Sequence, residues 1–167
     1  PEREIKNGNI TRFGAIDDTE GGRTGRTNLK LDYTKFLNHH MFIKNEVYYS
    51  QYDFELFSNF TFFLEDSING DQIRQYENRN IFGGSSEWNV EFSEKEHILK
   101  VGTGFRNDQS FGNELSHTVN RTTTLEQISF GNINETNLFG YASLDFNFGK
   151  LLVNPALRLD YFDFSYN

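Results

Sequence analysis

Residues 52–79 read YDFELFSNFTFFLEDSINGDQIRQYENR. An aromatic run, with Phe54, Phe57, Phe60, Phe62 and Phe63, passes abruptly into an acidic Asn/Gly segment and then into an Arg/Gln/Tyr segment. A soluble domain rarely keeps so many rings beside a polar loop. Amphipathic rings settle where apolar and aqueous surroundings meet, so a band of them that stops at a wet loop marks such a boundary.

Outward from this stretch, period-two alternation dominates and helical spacing is nearly absent. Six strands are expected. The first, about 24–37, sets Leu29, Leu31 and Tyr33 against Asn28, Lys30, Asp32 and Thr34. The second, about 41–57, changes phase midway, so a bulge is expected near 49–51. The third, about 73–92, sets Tyr76, Phe82, Trp88, Val90 and Phe92 against Glu77, Arg79, Glu87 and Glu91. The fourth, about 97–107, opposes Leu99, Val101, Thr103 and Phe105 to Lys100, Gly102, Gly104 and Arg106. The fifth, about 135–148, and the sixth, about 151–166, are joined by a tight reversal at Gly149-Lys150. Pro155 cannot donate to a ladder and requires a bulge or a gap in pairing.

The expected links alternate in length. Short ones are NHH (38–40), SEKE (93–96) and Gly149-Lys150; long ones cover about 59–72 and 108–133. Such strands far exceed the ~5–6 residues usual in globular proteins. Long one-sided strands, with short turns at one end and long loops at the other, are the pattern of a transmembrane β-barrel. The expected fold is therefore all-β, with antiparallel strands forming an open, curved portion of such a barrel. Tyr48, Tyr49, Tyr52 and Phe54 are expected in its upper aromatic girdle. A β-sandwich shows the same alternation strand by strand. A soluble sandwich binding module and a small structural outer-membrane barrel therefore stay open as alternatives. For a small barrel, TVNRTTTLEQISF (118–130) is the place to look for an extra hairpin.

Composition narrows the function. The 167 residues carry a formal net charge of −8, which argues against a phosphate-backbone partner; no nucleic acid is expected. Cysteine is absent, which excludes disulfides and thiolate chemistry. The sequons at Asn9, Asn59, Asn120 and Asn134 are of the kind that chance supplies in an Asn-rich chain. No catalytic motif is present, and neither enzyme activity nor a cofactor is expected.

Candidate sites are few. EDSINGD (65–71) gathers Asp66, Asn69 and Asp71, oxygen ligands of the kind calcium prefers, but the spacing is not that of a calcium loop. The expectation is a solvated turn, with these three as extracellular-loop contacts. IDDTEGG (16–22) is equally ambiguous. His39-His40 would point to opposite faces of a strand and reads as a turn. The G-x-G of VGTGFR (101–106) lacks a following helix and reads as small residues on the lumen face. Lys100, Arg106, Arg158 and Asp160 are the expected lumen-facing charges, with ion pairing along the wall preferred to ligand contact.

Four stretches carry a resemblance. RFGAIDDTEGGRTGRTNLKLDY (12–33), the run from YYSQYDF to NIFGG (48–84), NELSHTVNRTTTLE (113–126) and NETNLFGYASLDFNFGKLLVNPALRLDYFDF (134–164) resemble the middle of a TonB-dependent outer-membrane receptor. The resemblance covers nearly the whole chain and lies in the ordered series rather than in one motif. It implies a barrel of about 22 strands with a plugged lumen. It also implies energised uptake of a scarce nutrient such as a ferric siderophore, in the outer membrane of a Gram-negative bacterium. Implied partners are outer-membrane lipid, the remainder of the same receptor chain including its plug, and the TonB complex through an N-terminal region. Neither plug nor TonB box is recognisable in these residues, so the chain is expected to be a portion of a longer polypeptide. No functional residue of the family is carried over.

Overall fold

The computed structural model describes residues 2–92 and 97–167. The expected SEKE link lies outside them. A one-turn helix, α1 (Glu2–Lys6), is followed by β1 (Gly21–Asn38), β2 (Met41–Ser58), β3 (Ile73–Phe92), β4 (His97–Val119), β5 (Thr123–Asn147), β6 (Leu152–Val153) and β7 (Ala156–Tyr166). Among the described residues no helix is long and apolar enough to cross a membrane.

The strands form one antiparallel sheet in the order β1-β2-β3-β4-β5, with β6 and β7 both pairing β5. The sheet is not closed into a barrel. One sheet rather than two removes the sandwich alternative. The first three strands begin and end within three residues of their expected limits, and β2 is continuous across 49–51.

Two expectations need correction. The long polar loop expected over 108–133 is instead strand: β4 runs 23 residues and β5 runs 25, separated only by 120–122. Asn120 and Arg121 take φ of 51° and 61°, and the Thr122 amide donates to the Val119 carbonyl at 3.1 Å. Paired positive φ values are what a two-residue hairpin reversal demands. The second correction concerns the girdle. Tyr48 and Tyr49 are adjacent in a strand and take opposite faces, so they do not share one band. The Tyr48 hydroxyl lies against Gly83, whereas the Tyr49 hydroxyl donates to Asn80 Oδ1 at 2.6 Å.

Pro155 acts as expected. β7 pairs β5 from Ile133↔Tyr166 to Ser143↔Ala156, and β6 pairs it at Phe146↔Val153 and Asn147↔Leu152. The register is the same on both sides, so Pro155 opens a gap rather than inserting a bulge. Its carbonyl still accepts from the Leu144 amide at 3.0 Å. At the adjoining reversal Gly149 has φ +81° and the Phe148 amide donates to Leu151 O.

The chain divides into two compact units. The first holds residues through Gly25, Tyr52–Asn78 and Phe111–Asn132; the second holds Arg26–Gln51, Arg79–Ser110 and Ile133–Asn167. In the second unit the burial pattern is inverted relative to a water-soluble core. Leu31, Leu157 and Leu159 are exposed by 65–71%, while Asn89 is 1% exposed. The first unit buries Phe57 together with the polar residues Ser58, Asn59, Gln72, Ser116 and Thr118.

Candidate functional site

In the first unit a cavity of about 500 Å³ is built by three segments: the approach to β1, the 59–72 loop and the 119–120 turn. Gln72, 3% exposed, ties them together. Its Nε2 donates to Thr19 Oγ1 at 2.6 Å, and its Oε1 accepts from Thr118 Oγ1 at 3.2 Å and from the Arg121 amide at 3.0 Å. The Arg121 guanidinium donates to the Thr19 and Glu20 carbonyls and stands over the Phe57 ring. These bonds hold Arg121 in a left-handed conformation that a side chain other than glycine adopts at a cost.

Asn59 links the same segments. Its amide N–H donates to Glu20 Oε1 at 2.8 Å and its Nδ2 to Asp17 Oδ2 at 2.9 Å. Burial pushes the Asp17 carboxyl up, but hydrogen bonds from Thr19 and Asn59 outweigh it and leave the group below its usual range. Ser58 Oγ and Asn59 Oδ1 are shut away from solvent with no partner among the described residues.

The 59–72 loop is braced by its own acids. The Asp71 carboxylate accepts the amides of Leu64 and Asp66 at 2.9 and 2.7 Å, and that of Glu65 at 3.1 Å. The Asp66 amide is the main reason that the Asp71 carboxyl is pushed down to about 2. Asp66 in turn accepts from the amides of Ile68 and Asn69 and from Asn69 Nδ2. The three candidate loop residues therefore come together, with both carboxylates engaged by the loop's own N–H groups. His117 Nε2 meets the Gly70 carbonyl at 2.6 Å, and Phe62 is held at φ 61° with its carbonyl accepting the Asp71 amide. Among the described residues no group of three or more His, Cys, Asp or Glu is placed to hold a metal ion.

The second unit contains the four candidate charges, each with an ionic partner. Lys100 Nζ is 2.6 Å from Asp145, Arg106 is 2.7 Å from Asp108, and Arg158 is 2.8 Å from Asp160. Asp108 also takes Arg79 through two bonds of 2.6 and 2.7 Å, so one carboxylate of 4% side-chain exposure serves two guanidinium groups. Arg158 lies 4.1 Å from the centre of the Phe139 ring, and Asn137 Nδ2 donates to Asp160.

The G-x-G of β4 has its explanation within the sheet. A Cβ at Gly102 would run into the Tyr141 ring, and one at Gly104 would come 2.5 Å from the Phe139 ring. Tyr141 on β5 reaches across Gly102 on β4 and donates to Glu87 Oε2 on β3 at 2.6 Å. Sequence reading missed Gln72, Arg121 and the Tyr141–Glu87 pair. Only Asn120-Arg121 carried a signal, as a polar pair able to turn.

Long antiparallel strands with an exposed apolar face and an ion-paired polar face define the wall of an outer-membrane β-barrel. A family model described as TonB dependent receptor-like, beta-barrel, matches residues 3–167, and the chain belongs to that family. No match was found among curated proteins or among solved structures. Membership places the protein in the outer membrane of Gram-negative bacteria, among transport proteins rather than enzymes. It also implies a larger receptor that contains a plug and interacts with TonB.

Proposed function

We propose that this chain is a wall segment of a transporter that takes up a scarce nutrient, such as a ferric siderophore, with energy relayed through TonB. The observation that carries the reading is the inverted burial of the second unit, where Leu157 and Leu159 are exposed while Asp108 is buried in an ion pair. Such a wall is stable only with lipid on its apolar side and polar neighbours on the other. In this reading Lys100, Arg106, Arg158 and Asp160 face the lumen. Their role is to fix the wall by ion pairing and to offer polar contacts to the plug. Asp66, Asn69 and Asp71 shape an extracellular loop.

The test is uptake by cells carrying the full receptor. Accumulation of a labelled ferric siderophore should require both the receptor gene and TonB, and should stop when the inner membrane is de-energised. Accumulation unchanged without TonB would sink the reading.

A further inference from the structure

The DSINGD turn (66–71) holds a chemically labile pair that the transport reading does not use. An Asn followed by Gly readily loses its side-chain amide, because no side chain on the next residue hinders attack. The sequence has two such pairs, Asn69-Gly70 and Asn7-Gly8. In the reaction the Gly70 nitrogen gives up its proton and bonds to Asn69 Cγ. The Cγ–Nδ2 bond breaks, and ammonia leaves with that proton. Water then opens the cyclic imide at either carbonyl, which leaves aspartate or isoaspartate at position 69. The turn itself demands the glycine, since Gly70 has φ +84°, a conformation that strains any side chain.

Both reacting nitrogens are held by one residue. The Gly70 N–H donates to the Asp66 main-chain carbonyl at 3.0 Å, and Asn69 Nδ2 donates to Asp66 Oδ2 at 2.9 Å. Asp66 Oδ1 accepts the Asn69 and Ile68 amides at 2.8 and 2.9 Å, and the Gly70 carbonyl meets His117 Nε2. We infer that Asn69 is a modification site gated by Asp66: the closed turn resists deamidation, and a turn once modified does not close again. Cyclisation needs the proton that Gly70 donates to Asp66, and it needs the Asn69 side chain to leave Oδ2 for the Gly70 nitrogen. Reaction therefore proceeds only from the open turn. Its product sets a carboxylate where Nδ2 stood, against the Asp66 carboxylate, and like charges at that distance repel. Isoaspartate also lengthens the backbone of the turn by one carbon. At the other pair only the Gly8 amide is held, by the Ile5 carbonyl at 3.1 Å; the Asn7 side chain has no partner among the described residues.

The experiment incubates the full receptor at mildly alkaline pH, folded in detergent micelles or unfolded in guanidinium chloride. Peptide mass spectrometry reads the conversion at positions 69 and 7. Asn69 should convert about tenfold or more slowly in the folded receptor than in the unfolded one, the scale of one hydrogen bond to a charged group. Asn7 should be slowed less. Asp66→Ala leaves the Asp71 brace in place and should bring the folded rate at Asn69 towards the unfolded rate. Asn69→Asp, which writes the product into the sequence, should speed hydrogen exchange at Ile68 and Gly70. Asn69→Ala removes the donor without adding charge and should speed it less. Equal folded and unfolded rates at Asn69 would overturn the inference. So would an Asp66→Ala receptor that converts as slowly as the parent, or an Asn69→Asp turn that exchanges as the parent's does.

Discussion

The guanidinium of Arg121 donates to the main-chain carbonyls of Thr19 and Glu20, roughly a hundred residues earlier in the chain. A turn residue with positive φ is thereby made into a clasp. The same residue caps Gln72 through its amide, so the approach to β1, the 59–72 loop and the 120–122 turn are braced through one side chain and one backbone N–H.

Arg121→Gly should relieve the backbone strain of the turn and still loosen the unit, because the clasp is lost. Hydrogen exchange at residues 17–21 should speed up by an amount equivalent to about 1–3 kcal/mol of local stability. Unchanged protection there would show that Arg121 is ornamental to the fold.

Asp71→Ala should free the amides of Leu64, Glu65 and Asp66 at once. Acid should do the same to the parent protein. The folded-state carboxyl lies at about 2, below its ordinary value of 3.8. Its contribution is therefore present above pH ~4 and lost as pH falls through the folded value. Amide exchange in this loop, corrected for intrinsic rates, should lose protection between about pH 4 and pH 2 in the parent. At the Leu64, Glu65 and Asp66 amides that step should be absent in Asp71→Ala, while the Ile68 and Asn69 amides, held by Asp66, should still respond to acid.

Gly102→Ala should lower the yield of folded receptor. The added methyl meets the Tyr141 ring, and overpacking of this kind costs about 1–3 kcal/mol. Tyr141→Ala in the same chain should recover much of the loss, at the expense of the bond to Glu87. Urea unfolding of the four proteins of this cycle measures both effects; additive losses would refute the contact.

Asp108→Ala should be the most damaging of the charge substitutions. It leaves Arg79 and Arg106 without the carboxylate they share; both guanidinium groups reach solvent, so the loss is about 1–3 kcal/mol rather than that of a fully buried pair. Asp160→Ala, in a pair whose arginine is half exposed, should cost about 0–1 kcal/mol. Reversal of that order in an unfolding series would contradict the burial seen here.

The sequence by itself determined the strand pattern wherever one face is apolar. Leu29, Leu31 and Tyr33, or Leu157, Leu159 and Tyr161, repeat every second residue because one side of the sheet meets an apolar medium. Lys100, Arg106, Arg158 and Asp160 were legible as a polar set for the same reason. Pro155 announced its gap because it lacks an N–H. Alternation fades where both faces of a strand carry polar side chains, and there the sequence misled. Residues 108–119 and 123–133 read as loop, yet they pair as strands because backbone hydrogen bonding needs no apolar side chain. Only the tertiary structure could decide which partner each polar group takes. Gln72 meets Thr19, Thr118 and Arg121, and Tyr141 crosses Gly102 to reach Glu87. Those choices depend on strand register and turn geometry, which set distances between residues far apart in the chain, and no local periodicity encodes them.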